Sequence, residues 1–135
     1  MQVNPYLSFN GECAEAFKFY ESCLGGELFI MTYGQSPEGP YEPGAENRIM
    51  HASLRIGNTP LMGSDVPPQW AKPPAGFTVS LQVDTVEEAE KVFGALSNGG
   101  SVTMPLAETS WAKSFGMFTD RFGIPWMVNC SKPMS

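Results

Sequence analysis

The sequence predicts an α+β fold: two βαβββ modules forming a curved, mostly antiparallel sheet with the helices on its outer face and a hollow inner face. Three observations carry this. Two segments, Val3 to Met31 and Phe77 to Met104, repeat one order of features: a short strand, a helix, a Gly-Gly pair and another apolar run. An offset of 74 residues superposes Gly25-Gly26 on Gly99-Gly100 and, without a gap, Leu7 on Leu81, Phe9 on Val83, Asn10 on Asp84 and Phe19 on Phe93. Within each copy the apolar spacing passes from the alternation of a strand to the period of a helix and back.

The first strand is Tyr6-Leu7-Ser8-Phe9. Cys13, Ala16, Phe17, Tyr20 and Leu24 then follow i, i+3, i+4, i+7 spacing, which gives a helix one buried stripe. Asn10 is placed to cap its start, and Gly25-Gly26 ends it where a positive φ costs little. Strands follow at Leu28–Tyr33, Ile49–Ile56 and Leu61–Ser64, the last two joined by a tight turn at Gly57-Asn58. The Gly-, Pro- and Glu-rich stretch from Gly34 to Asn47 reads as a surface loop and a candidate lid.

In the second copy the first strand is Val79–Val83, and Val86, Ala89, Phe93 and Leu96 make the helical stripe. Thr85 and Glu88 have capping-box spacing: the hydroxyl takes one unpaired N–H and the carboxylate reaches back to another. Strands follow at Val102–Leu106, Phe115–Thr119 and Pro125–Cys130, with Asp120 to Gly123 as the turn between the last two. Between the copies, Pro67 to Pro74 holds four prolines in eight residues and reads as a stiff connector. Residues 1–135 are therefore predicted to be one domain: a first repeat over 1–66, a linker over 67–76 and a second repeat over 77–132. Each half is too small to bury its own sheet.

Composition narrows the function classes. Of 135 residues, 42% are hydrophobic and 16% charged, the balance of a globular chain. A net charge of −6, with eight Lys and Arg and no basic cluster, argues against nucleic acid or an anionic membrane surface as partner. No apolar run approaches the ~20 residues that span a bilayer. Met1-Gln2-Val3-Asn4-Pro5 lacks the charged and apolar regions of a signal peptide. The three cysteines, Cys13, Cys23 and Cys130, are an odd number, against a disulfide framework. On one helix, Cys13 and Cys23 would lie roughly 15 Å apart, beyond disulfide reach. Three reduced thiols predict a cytoplasmic protein.

Several stretches together carry a resemblance. They are Pro5 to Gly11, Phe19-Tyr20 with Leu24-Gly25-Gly26, Ile49-Met50-His51-Ala52, Thr109 to Gly116, and Thr119 to Asn129. The last two are the most specific. With the paired modules, they make the chain resemble the vicinal-oxygen-chelate superfamily, which unites glyoxalases, bleomycin-resistance proteins and dioxygenases, and its PhnB-like branch in particular. The resemblance covers nearly the whole chain and implies the glyoxalase/bleomycin-resistance-like fold, a small-molecule cleft and a homodimer. It also implies a divalent metal held by inward strand residues. The matching positions here are Pro5 or Tyr6, His51, Thr78 or Val79, and Met127. Only His51 is an ordinary ligand for such a metal, whereas a catalytic ion wants about three protein ligands and an open position. The expectation is thus a site with no metal and no other cofactor. Some PhnB-like chains carry a methyltransferase label, which finds no support in these residues. A Rossmann-type cofactor site needs a glycine-rich turn from strand to helix, and both Gly-Gly pairs here follow helices.

The candidate site residues follow. His51 is the single histidine, and imidazole is the ordinary side chain that exchanges a proton near neutral pH. It reads either as an acid/base or ligand anchor, or as an interior imidazole satisfied by a hydroxyl such as Ser53 or Tyr6. Tyr6, Ser8, Ser53, Thr78 and Ser80 are the polar positions facing inward on this register, and together they make an uncharged hydrogen-bonding site. Trp111, Phe115, Phe118 and Trp126 read as core aromatics or as a stacking wall for a planar ligand. Lys113 reads as a solvated surface side chain, Asp120 as a turn residue and the cysteines as buried fillers. Three functions stay open: a non-catalytic binder of a small, partly apolar molecule; a metal-assisted or His51-dependent enzyme of lyase or isomerase type; and a structural or regulatory dimer. The sequence names neither a substrate nor a reaction.

Overall fold

A computed structural model describes residues 1–36 and 43–133. They form β1 (Tyr6–Phe9), α1 (Cys13–Leu24), β2 (Glu27–Thr32), β3 (Ile49–Ile56), β4 (Thr59–Asp65), β5 (Val79–Gln82), α2 (Val86–Ser97), β6 (Ser101–Ala107), β7 (Ala112–Thr119) and β8 (Pro125–Ser131). Single 3₁₀ turns lie at Tyr33–Gln35 and Pro68–Trp70. The eight strands form two four-stranded mixed sheets, ordered β1-β4-β3-β2 and β5-β8-β7-β6. In each, the strand before the helix pairs parallel with the last strand, and the other pairs are antiparallel. The chain divides into two compact units, Met1–Lys72 and Pro73–Ser135, at a boundary inside the proline-rich connector.

In the first unit, α1 buries Cys13, Ala16, Phe17 and Tyr20 against its sheet. A side-chain carbon at Gly63 on β4 would strike the Phe17 ring, so Gly63 faces the helix. Leu7 and Ala52 stand directly opposite Gly63 on the two neighbouring strands and share that face. Alternation then turns Tyr6, Ser8, His51, Ser53, Met62 and Ser64 away from α1. In the second unit, α2 buries Ala89, Val92, Phe93 and Leu96. Gly116 on β7 meets Phe93, and Val128 and Leu81 lie in its row. Ser80, Gln82, Phe115, Met117, Met127 and Asn129 therefore face away from α2.

The glycine pairs do what the repeat demands. Gly26 has φ near 98°, and a side chain there would run into the Arg55 carbonyl. Its counterpart Gly100 has the Thr119 carbonyl in the same place. A bare backbone is what lets the chain leave each helix and start the next strand against its neighbour.

Helix starts depart from expectation. Asn10 does not cap α1; its Oδ1 accepts from Arg48 at 3.1 Å. The residue before α1 is Glu12, which makes no side-chain cap. The buried Asp65, at the end of β4, supplies the acceptor from across the sheet. Its Oδ1 accepts from the Gly11 and Cys13 amides at 2.8 and 3.1 Å, and its Oδ2 from the Ile49 amide at 2.9 Å. At α2 the Thr85 hydroxyl takes the Glu88 amide at 3.0 Å as expected. The Glu88 carboxylate takes the Asp84 amide instead of that of Thr85.

The loop expected over Gly34 to Asn47 begins with the turn at Tyr33–Gln35, and Gly34 N–H donates to the Glu46 carbonyl at 3.0 Å to tie its ends. The middle of the candidate lid, 37–42, lies outside the described residues.

Candidate functional site

The face of the first sheet turned away from α1 carries four of the expected residues, Tyr6, Ser8, His51 and Ser53. The phenol oxygen of Tyr6 lies 3.2 Å from His51 Nδ1, and the two rings are near parallel, with centroids 5.8 Å apart and planes 28° from each other. The strands set this up. Tyr6 on β1 stands opposite Met62 on β4, and Met62 stands opposite Ser53 on β3, so the Tyr6 ring reaches across β4 toward the imidazole two residues back on β3. Of the two hydroxyls considered as partners for His51, Tyr6 makes the contact. The His51 ring makes no other hydrogen bond among the described residues. Ser8 and Ser53 lie on the same face, Ser8 exposed and Ser53 half-buried.

Apolar side chains flank the pair. Met31 pairs directly with His51 and Phe29 with Ser53, so both share the face, as does Met62. Phe29 is 53% exposed and Tyr6 50%. The arrangement is a polar centre, phenol and imidazole, inside an apolar rim.

Tyr33 is a neighbour that spacing gave no reason to single out. Its hydroxyl donates to the Asp65 backbone carbonyl at 2.9 Å. Its phenol is pushed above the ordinary range, first by burial and then by the nearby Asp65 carboxylate and Tyr6, with Arg48 opposing. Arg48 is engaged elsewhere, by Asn10 Oδ1 and the Val66 carbonyl at 2.7 Å. The signal that could have found Tyr33 is its place at the end of the strand beside β3, one residue beyond the pairing.

The second unit presents a different surface. By register, Ser80 takes the place of Tyr6, and Phe115 that of His51. Ser80 is exposed and Phe115 half-buried on the face turned away from α2, where Trp111, 56% exposed, packs edge-on to Phe115 at 5.5 Å. Thr78 precedes β5 and is half-buried. Asn129, between Gln82 and Phe115, donates to Gln82 Oε1 and Ser131 Oγ at 2.8 and 2.9 Å.

Phe118 and Trp126 do not belong to a ligand wall. Each is 1% exposed, on the α2 side of its strand. Phe118 packs edge-on to Phe93 at 5.0 Å and parallel to Trp126 at 6.4 Å. The Trp126 indole N–H is held at 2.8 Å by buried Asp120, which also takes the Phe122 and Ile124 amides. The four aromatics near the C-terminus thus split into a core pair and a surface pair, because β7 alternates faces between Phe115 and Phe118. Lys113 is exposed, as expected.

The metal-ligand positions implied by the resemblance hold one imidazole, Tyr6 already bonded to it, hydroxyls, and the thioether of Met127. Among the described residues no three of His, Cys, Asp and Glu gather to hold a metal ion. This donor set does not fit a divalent cation, which wants about three N, O or S ligands converging.

The family model of the Glyoxalase/Bleomycin resistance protein/Dioxygenase superfamily matches residues 2–128. The chain belongs to this superfamily. Within it, the chain is 38% identical to protein YjdN of Escherichia coli, over 98% of this chain and 97% of that protein. It is 50% identical to protein PA1353 of Pseudomonas aeruginosa, whose crystal structure superposes with a TM-score of 0.89 over 98% of this chain and 99% of that one. The PhnB protein of Bacillus cereus is 27% identical, with a TM-score of 0.74, over 97% of this chain and all of that one. Superfamily membership and PhnB-like kinship are therefore established, and the paired modules are the superfamily's fold. No helix among the described residues is long and apolar enough to cross a membrane.

Proposed function

We propose that this superfamily member binds a small, partly apolar molecule over the Tyr6–His51 pair, without the divalent metal that other members use. One observation carries the reading. The chain's single histidine is half-buried on an open sheet face, bonded to a phenol and rimmed by Phe29, Met31 and Met62. Apolar surroundings with a few convergent polar groups are what small-molecule sites share. The poor fit of the donor set to a cation supports binding by hydrogen bonds and apolar contact.

The same pair favours a second reading, a His51-dependent enzyme, since a phenol bonded to an imidazole is also an arrangement that moves protons. A thermal-shift screen of small aromatic and aliphatic compounds against wild type and His51→Ala tests both. Hits on wild type whose stabilisation persists in the variant, with no turnover, support a binder. Turnover lost with binding kept supports the enzyme. An absence of hits contradicts both and leaves a structural or regulatory dimer. Elemental analysis of protein purified without chelator checks the metal: a clearly substoichiometric content is expected, and a stoichiometric divalent ion would contradict the proposal.

A further inference from the structure

We infer that Tyr6 is a positioning residue that fixes His51 as an Nε2–H donor, so that the site takes a ligand presenting an acceptor oxygen, a carbonyl or carboxylate, to that nitrogen. This deepens the proposed binding function and rests on it. A neutral imidazole has one N–H and one bare nitrogen, and the partner of one nitrogen decides which is which. Tyr6 Oη lies 3.2 Å from Nδ1. A phenol O–H is a far stronger hydrogen-bond donor than a neutral imidazole N–H, and bare imidazole nitrogen is a far better acceptor than a phenol oxygen. The Tyr6 hydroxyl therefore donates to Nδ1, and the ring proton sits on Nε2.

No second hydrogen bond among the described residues competes for the ring, so Nε2–H is the group left to meet a ligand. The apolar neighbours leave the directional polar contact to this pair. Met31 pairs directly with His51, Met62 with Tyr6, and Phe29 with Ser53, so the rim offers thioethers and an aromatic ring. Ser8 and Ser53 on the same face add hydroxyls, Ser8 exposed and Ser53 half-buried. The second unit lacks the device, because its register equivalents are Ser80 and Phe115. The acceptor preference is thus a property of the first sheet alone.

The single histidine makes the test direct. Long-range ¹H–¹⁵N spectra of ¹⁵N-labelled protein, at a pH where the ring is neutral, contain one imidazole pattern. The expected pattern is Nε2–H alone in wild type, with Nδ1–H appearing in Tyr6→Phe. An Nδ1–H pattern in wild type overturns the inference, as does a variant indistinguishable from wild type. Acetophenone and ethylbenzene, matched in size and differing in the carbonyl, then probe the ligand. Acetophenone should shift the His51 ring nitrogens and bind roughly fivefold more tightly, the worth of one net hydrogen bond. The advantage should shrink in Tyr6→Phe. Equal binding of the two probes overturns acceptor selection. Nε2–H in wild type with neither probe bound overturns the inference at the binding step, a failure of the underlying site reading that the tautomer result keeps separate.

Discussion

Two carboxylates and a thiol show how much of this molecule is decided by single side chains. Asp65 holds three backbone amides from three parts of the first unit: the turn before α1, the first residue of α1 and the start of β3. Asp65→Asn keeps one oxygen and turns an N–H toward donors. It is expected to lose about 2–4 kcal/mol of stability, since bonds to a charged acceptor are each worth about 1.5–3 kcal/mol and unsatisfied amides cost more; urea unfolding measures it. A loss under 0.5 kcal/mol, about the noise of that method, would show that the amides find other partners. Cys13, buried beneath Asp65, has its thiol pushed from 9.0 up to about 12, by burial first and the Asp65 charge second. The folded protein therefore holds this proton where the unfolded chain loses it. The corresponding stability is complete below pH 9.0 and drains away as pH climbs toward about 12. Native Cys13 should resist thiol reagents at pH 8 and react once urea unfolds the chain; labelling followed by mass analysis checks this. Asp120 was legible as a turn residue, because Asp before a glycine-containing hairpin is local information. Asp65 was not, since its partners are 16 to 54 residues away.

At the level of helices and strands, most of the repeat was legible and one part was not. The first two strands of each unit and the glycine pairs superpose at the offset of 74 expected from spacing. The buried stripes do not: Cys13, Ala16, Phe17 and Tyr20 correspond to Ala89, Val92, Phe93 and Leu96 at an offset of 76. Phe93 thus matches Phe17 in place of Phe19, and each of the two rings packs on a strand glycine, Gly63 or Gly116. A gapless comparison could not see that the second helix, also twelve residues long, carries its buried stripe two residues further along than that offset predicts. The packing makes a prediction. Gly63→Ala and Gly116→Ala should each destabilise by about 1–3 kcal/mol through overpacking against Phe17 and Phe93, measured by urea unfolding. Pairing with Phe17→Leu or Phe93→Leu should recover part of that loss, which a purely backbone effect would not allow.

For the whole molecule, the sequence made the α+β class, both modules and all ten main elements readable, since amphipathic period and glycine punctuation are local signals. It could not show that each module closes its own mixed sheet, with β1 parallel to β4 and β5 to β8. Parallel pairing joins segments some 50 residues apart, and nothing in the period of either strand encodes its partner. The site was half legible for the same reason. His51 stood out as the single histidine, while the Tyr6 contact depends on β1 lying beyond β4, and Phe118 and Trp126 were separated from Phe115 by one step of alternation. Kinship with the superfamily also leads to an expected homodimer, and sedimentation equilibrium at micromolar concentration should give twice the chain mass; a monomer there would contradict it. The claim on which most depends is that ligands settle over the Tyr6–His51 face. Methionine methyls report on it without any variant, because Met31 and Met62 share that face. In ¹³C-methyl-methionine protein titrated with acetophenone, the Met31 and Met62 signals should move together with the His51 ring. Saturable binding with Met31, Met62 and His51 all unmoved would place the ligand elsewhere and contradict the assigned site.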